Sequence, residues 1–214
     1  MKKIRKLASC LALFLLSPAV LAVLADSVSI PYAGFYERLK QVNKNNYQLV
    51  EVVFSVPRKE NCKIISGNIT TEKHQYPLTY DKQQRLYLPF DAQLKSDRGL
   101  INLQVSGDAS QCGVAMQVRA KKVQSVYNQD ELVAVKNDMD ALLDGQQGFP
   151  MKYFRKPITG LTFSFASTDL PVETNIDGKV SIVSDKLQLT SAEIETIKQL
   201  SFSKQPIILS PYVN

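Results

Sequence analysis

The chain has 214 residues, 26 Lys and Arg against 20 Asp and Glu, one His and no Trp. Its pI near 9.1 looks like that of a binder of nucleic acid or anionic lipid. Four of the basic residues and no acidic one lie in residues 1–25, however, so the rest carries 22 against 20 and that class is excluded.

Lys2, Lys3, Arg5 and Lys6 form a positive n-region. An apolar run from Leu7 to Leu16 follows, then Ser17-Pro18 and the small residues Ala19, Ala22 and Ala25. This is the pattern of a secretory signal peptide, with cleavage expected after Ala25 and Ala22 as the alternative. The run is too short for a bilayer span, and no later stretch reaches transmembrane length. Leu7-Ala8-Ser9-Cys10 has the letters of a lipid-attachment site. Most of the apolar run lies after Cys10, on the wrong side for lipidation. The expectation is therefore an exported, periplasmic protein with no membrane anchor.

Cys62 and Cys112 are then an even pair in an oxidising compartment, which predicts a disulfide. It would close a loop of about fifty residues, worth about 4 kcal/mol in the chain-entropy model. The lone His74 has no Cys or His near it, so no metal site is expected.

Phe35, Leu39 and Val42 share one face of a helix over 33–45, with Pro31 before it and Asn45-Asn46 after. Residues 47–56 read as a strand. Strands follow over 62–70, 76–81, 85–91, 100–107 and 113–127, with a helical turn at Leu94 and Lys95. They read as one antiparallel sheet whose two ends the disulfide would staple. Asn128 and Glu131 form a capping box for a helix over 129–144, with Leu132, Val135, Met139 and Leu142 inward and Gly145 as its stop. Residues 145–150 are the best boundary, dividing a domain over 26–145 from a C-terminal β module over 150–214 that may instead pack with it as one unit. In that module, strands are expected over 160–167 and 173–183, the latter bent at Asp177-Gly178. Thr190 and Glu193 cap a helix through Leu200, and residues 206–212 close the chain as an extended segment. The class is mainly β with flanking helices, α+β and β-sandwich-like, in one or two β modules.

Chemical motifs are sparse. G-x-S-x-G, H-E-x-x-H and a phosphate-cradling Gly-rich loop are absent. His74 reads as an exposed loop residue. Ser201 to Lys204 fits S-x-x-K without the companion elements that chemistry needs. Asp138, Asp140 and Asp144 read as a solvated helix face, and Arg119-Ala120-Lys121-Lys122 as a solvated strand end. Tyr32, Phe35 and Tyr36, with Tyr76, Tyr80, Tyr87 and Phe90, could line a ligand cavity or simply pack. No catalytic residue and no cofactor is assigned.

SIPYAGFYERLKQV (29–42), LPFDAQLKSDRGLI (88–101), ITGLTFSF (158–165) and SPYV (210–213) together resemble a family of small exported Gram-negative proteins, a domain of unknown function. The resemblance spans nearly all of 27–213 and implies a periplasmic bacterial protein. PVETNIDGKVSIV with PIILSPYV is similar to the strands of transthyretin-like and carboxypeptidase-regulatory modules. The function expected is a non-enzymatic binding or envelope-associated interaction module whose partner is a periplasmic protein or small molecule. A periplasmic hydrolase or a small-ligand binder with an unrecognised site is the alternative.

Overall fold

A computed structural model describes residues 25–57, 62–147 and 154–213. The expected signal peptide up to residue 24 and half of the expected boundary, residues 148–150, lie outside them. The first half holds β1 (Ala25–Pro31), α1 (Tyr32–Asn45), β2 (Val50–Ser55), β3 (Ile64–Thr70), β4 (Gln75–Pro77), β5 (Thr79–Tyr80) and β6 (Arg85–Tyr87). Then come α2 (Ala92–Ser96), β7 (Leu100–Ser106), β8 (Ala115–Ala120), β9 (Val126–Asn128) and α3 (Gln129–Gln147). The last part holds β10 (Gly160–Ser164), β11 (Val172–Ile176), β12 (Lys179–Val183), β13 (Lys186–Thr190), α4 (Ser191–Ile194), β14 (Gln199–Phe202) and β15 (Ile208–Tyr212).

These strands form antiparallel sheets in the orders β1-β7-β3-β4, β5-β6-β2-β8, β12-β11-β14-β9 and β13-β10-β15. The fold is thus mainly β with helices, α+β and β-sandwich-like, as expected. The single sheet expected between residues 62 and 127 is divided instead: β3, β4 and β7 lie in one sheet, β5, β6 and β8 in a second, and β9 in a third. The chain crosses from the first to the second at Leu78, which is buried and donates its N–H to the Gly67 carbonyl at 3.2 Å. The long strand expected over 113–127 breaks after Ala120 and resumes as β9, which pairs with β14.

The Cys62–Cys112 disulfide is present, with 5.4 Å between Cα atoms and both residues buried. It joins the chain entering β3 to the chain entering β8. It therefore ties two sheets together rather than two ends of one.

Helix α3 sits at the centre, with Leu132, Met139 and Leu142 fully buried. Its capping box forms as expected: the Asn128 side chain accepts from Glu131 N–H, and the Glu131 carboxylate accepts from Asn128 N–H, both at 2.9 Å. Gly145 does not stop it. A Cβ there would lie 2.5 Å from the Tyr47 hydroxyl, which donates to the Ala141 carbonyl, so this glycine serves close approach inside the helix. The Asp face of α3 is not merely solvated. Arg155, only 12% exposed, donates to Asp140 and Asp144, while Asp138 accepts from Leu49 N–H. These carboxylates fasten residues 49 and 155–158 to the helix.

Helix α4 has the expected Thr190–Glu193 capping box but ends at Ile194 rather than Leu200. The Asp177 carboxylate accepts from the N–H groups of Lys198 and Gln199 and draws them into the sheet. Asp177 itself stands at φ 51° beside Gly178 at φ 89°, the tight turn expected for the β11–β12 hairpin.

Two outcomes follow from these ties. Replacing both Cys62 and Cys112 by Ala should lower unfolding free energy by about 4 kcal/mol. Urea denaturation reads this directly, and an unchanged midpoint would contradict the stapling role. Arg155→Ala should cost about 2 kcal/mol, since it removes charge-assisted hydrogen bonds to two carboxylates. A loss below a few tenths would return Asp140 and Asp144 to solvated status.

Candidate functional site

The alternation Leu161-Thr162-Phe163-Ser164 gives β10 two unlike faces. Leu161 and Phe163 are fully buried. The Phe163 ring lies 5.4 Å from Tyr127 and 5.1 Å from Phe202, in the core. Thr162 and Ser164 must then point the other way. The ladders on either side repeat the pattern. Thr162 faces Gln188 of β13 and Ser210 of β15, and Ser164 faces Lys186 and Ile208.

Above this polar face lies a cleft of about 680 Å3. Its far wall comes from Gln117 and Arg119 of β8, with Leu143 of α3. Asp185 and Lys186, at the start of β13, and Tyr212 and Val213, at the end of β15, also line it. β15 runs beside β8, yet no ladder joins them, so the cleft opens where two sheets meet. Gly160 opens β10: a Cβ there would fall 1.8 Å from the Leu189 carbonyl oxygen, so β10 and β13 are held at close approach.

Thr162 is the notable residue, being only 8% exposed. Its hydroxyl has no hydrogen-bond partner among the described residues, although buried polar groups ordinarily find one. Two other side-chain oxygens, Gln146 Oε1 and Thr174 Oγ1, are sealed and unpaired. The Thr162 oxygen is not sealed with them and belongs to the cleft lining. Ser164, Gln188 and Ser210 likewise line the cleft with no side-chain partner among the described residues. Gln117 Oε1 accepts from Arg119 Nε at 3.0 Å and from its Nη2, which fixes the guanidinium on the wall.

A larger groove, about 860 Å3, runs between α3 and residues 121–124, floored by Leu49, Val123, Tyr127, Ala134 and Val135. Many of its polar groups are already spent inside the protein. Glu131 caps α3, Lys121 donates to the Tyr47 carbonyl, and the Tyr127 oxygen accepts from Gln124 N–H. Burial pushes the Tyr127 phenol above its ordinary pKa, so it stays neutral. Volume favours this groove, but unsatisfied chemistry favours the polar cleft. The second criterion decides, because a hydrogen bond unmade in the free protein is one a ligand can make.

The other expected residues fall elsewhere. His74 is exposed at the β3–β4 turn, in a small depression with Tyr76 and Arg98. Among the described residues no group of three or more His, Cys, Asp or Glu could hold a metal ion. Ser201 lies in strand β14, so Lys204 is not one helical turn away. The aromatics do not share one cavity. Tyr32 is fully buried and its phenol donates to the Pro89 carbonyl, while Tyr36 stacks on half-exposed Phe90 at 4.7 Å. Arg119, expected at a solvated strand end, is a half-buried cleft wall, and Lys121 is tied to Tyr47. The polar alternation of β10 was readable in the sequence. The neighbouring β13 was not recognised, and without it that face had no context.

A family model described as a protein of unknown function, DUF2987, matches residues 24–165. The match takes in β1 through β10, with the β8 wall and the β10 floor of the cleft; β13 and β15 lie beyond it. No curated protein and no solved structure matches the chain. The family match covers most of the chain, which therefore belongs to the DUF2987 family of proteins of unknown function.

Proposed function

We propose that this chain is an exported, periplasmic, non-enzymatic binding protein that holds a polar ligand in the cleft over β10. The observation that carries the reading is Thr162, a buried residue whose hydroxyl has no hydrogen-bond partner among the described residues and opens to the cleft. Ser164, Gln188 and Ser210 extend the same unpaired surface. The basic start followed by an apolar run supports export, and the disulfide suits an oxidising compartment. Among the described cleft-lining residues Asp185 is the one carboxylate and no His appears, while hydroxyl and amide groups dominate the polar lining. Binding, rather than turnover, is what these groups are suited to.

A second reading is an interaction module that accepts a partner strand, and β12 favours it. The β11–β12 turn directs the N–H and C=O groups of Val180 and Ile182 away from β11, toward a free edge. Their side chains are 60% and 63% exposed. A strand of alternating apolar residues would complete that edge.

Native mass spectrometry on the chain recovered from the periplasm separates the readings. The cleft reading expects a small-molecule adduct that is lost in Ser210→Trp, which fills the cleft. Recovery from the cytoplasm alone, or an adduct indifferent to Ser210→Trp, would contradict it. A protein-sized adduct retained by Ser210→Trp and lost in Ile182→Pro would favour the edge instead.

A further inference from the structure

We infer that the ligand of this cleft is an acidic saccharide, a polyhydroxylated ring bearing a carboxylate. The inference rests on the reading of the cleft as a binding site. It follows from three features of the lining.

The first is the kind of hydrogen-bonding group on offer. Thr162, Ser164 and Ser210 present hydroxyls, and Gln188 presents an amide. Each of these both donates and accepts. The complement is a ligand whose polar groups also do both, which describes sugar hydroxyls. The groups are also regularly spaced. Cross-strand neighbours in a ladder lie about 5 Å apart, and alternate residues along a strand about 7 Å apart. Thr162 with Gln188 and Ser210, then Ser164 one step along, therefore make a grid on the scale of one or two sugar rings.

The second feature is charge. Arg119 of β8 and Lys186 of β13 line the cleft on opposite sides of the hydroxyl row, against one carboxylate, Asp185, among the described lining residues. Lys186 forms no salt bridge and no side-chain hydrogen bond among the described residues. An anionic substituent beside Lys186 gains a charge-assisted bond that a neutral sugar cannot. The third feature is apolar surface in the lining. Tyr212, Leu143 and Val213 offer it to the C–H face of a ring.

The competing occupant, an inserted peptide strand, does not fit. β8 and β15 approach within 8 Å between Cα atoms. A strand between them would need about 9.6 Å, twice the ladder spacing.

The test is calorimetric titration of the full exported chain with trigalacturonate and, in parallel, neutral maltotriose. Trigalacturonate should bind. Lys186→Gln should weaken it at least tenfold and leave any maltotriose binding unchanged. Thr162→Val should weaken it about five- to tenfold by deleting one hydrogen bond, while Thr162→Ser, which keeps the hydroxyl, should bind within about twofold of the parent. Thermal melts show whether each variant is folded. Equal binding of both sugars with Lys186→Gln silent would overturn the acidic class and leave the binding reading standing. No binding of either sugar would overturn the saccharide class. The binding reading would then survive only if a native adduct persists and is sensitive to Thr162→Val. Loss of both would overturn the two together.

Discussion

The packing of Phe163 against Tyr127 and Phe202 is the contact from which the rest of the site follows. It buries one face of β10 and so commits the alternate residues to the other. A slip of one residue would send Thr162 and Ser164 into the core and Phe163 into the cleft. Tyr127 belongs to β9 and Phe202 to β14, which pair with each other. The aromatic cluster therefore joins the segment before α3 to the strands after it. The cleft is the outward consequence of an inward hydrophobic fit.

Around that cluster, ties of other kinds fix where the sheets stand. The disulfide links the approaches to β3 and β8, and β8 is the cleft wall. Arg155, clamped to Asp140 and Asp144, sets the path into β10, and Asp140 also accepts from Ile158 N–H at 3.0 Å. Gly160 then brings β10 against β13. A scaffold so tied can carry groups that add nothing to its own stability. The unpaired hydroxyls of the cleft are such groups, and leaving a buried one unmade costs about 1–3 kcal/mol unless water or a ligand reaches it. In this cleft the hydroxyls stand open rather than sealed, and polar groups held in place on a rigid sheet are pre-organised for a partner.

Where the determinants are local, the sequence was legible. The Asn128–Glu131 and Thr190–Glu193 boxes, the Asp177-Gly178 turn and the α1 face each depend on residues within a few positions. Cys62 and Cys112 could be paired because Cys10 was assigned to the expected signal peptide, which left no other partner. Where distant residues decide, the reading failed. Gly145 resembles a helix stop until Tyr47 is seen lying on it. Leu200 continues a helical pattern until the Asp177 carboxylate takes the N–H groups just before it. The cleft was illegible for the same reason. Its surface gathers β8, β10, β13 and β15, and no local pattern announces that Gln117 and Ser210 line one space.

The most direct measurement is a crystal structure of the protein grown with trigalacturonate. Ligand density should lie over the polar face of β10, with a sugar hydroxyl within hydrogen-bond distance of Thr162 Oγ1 and a carboxylate near Lys186. Density seated instead in the α3 groove beside Tyr127, or a cleft holding only disordered solvent at saturating ligand, would contradict the account.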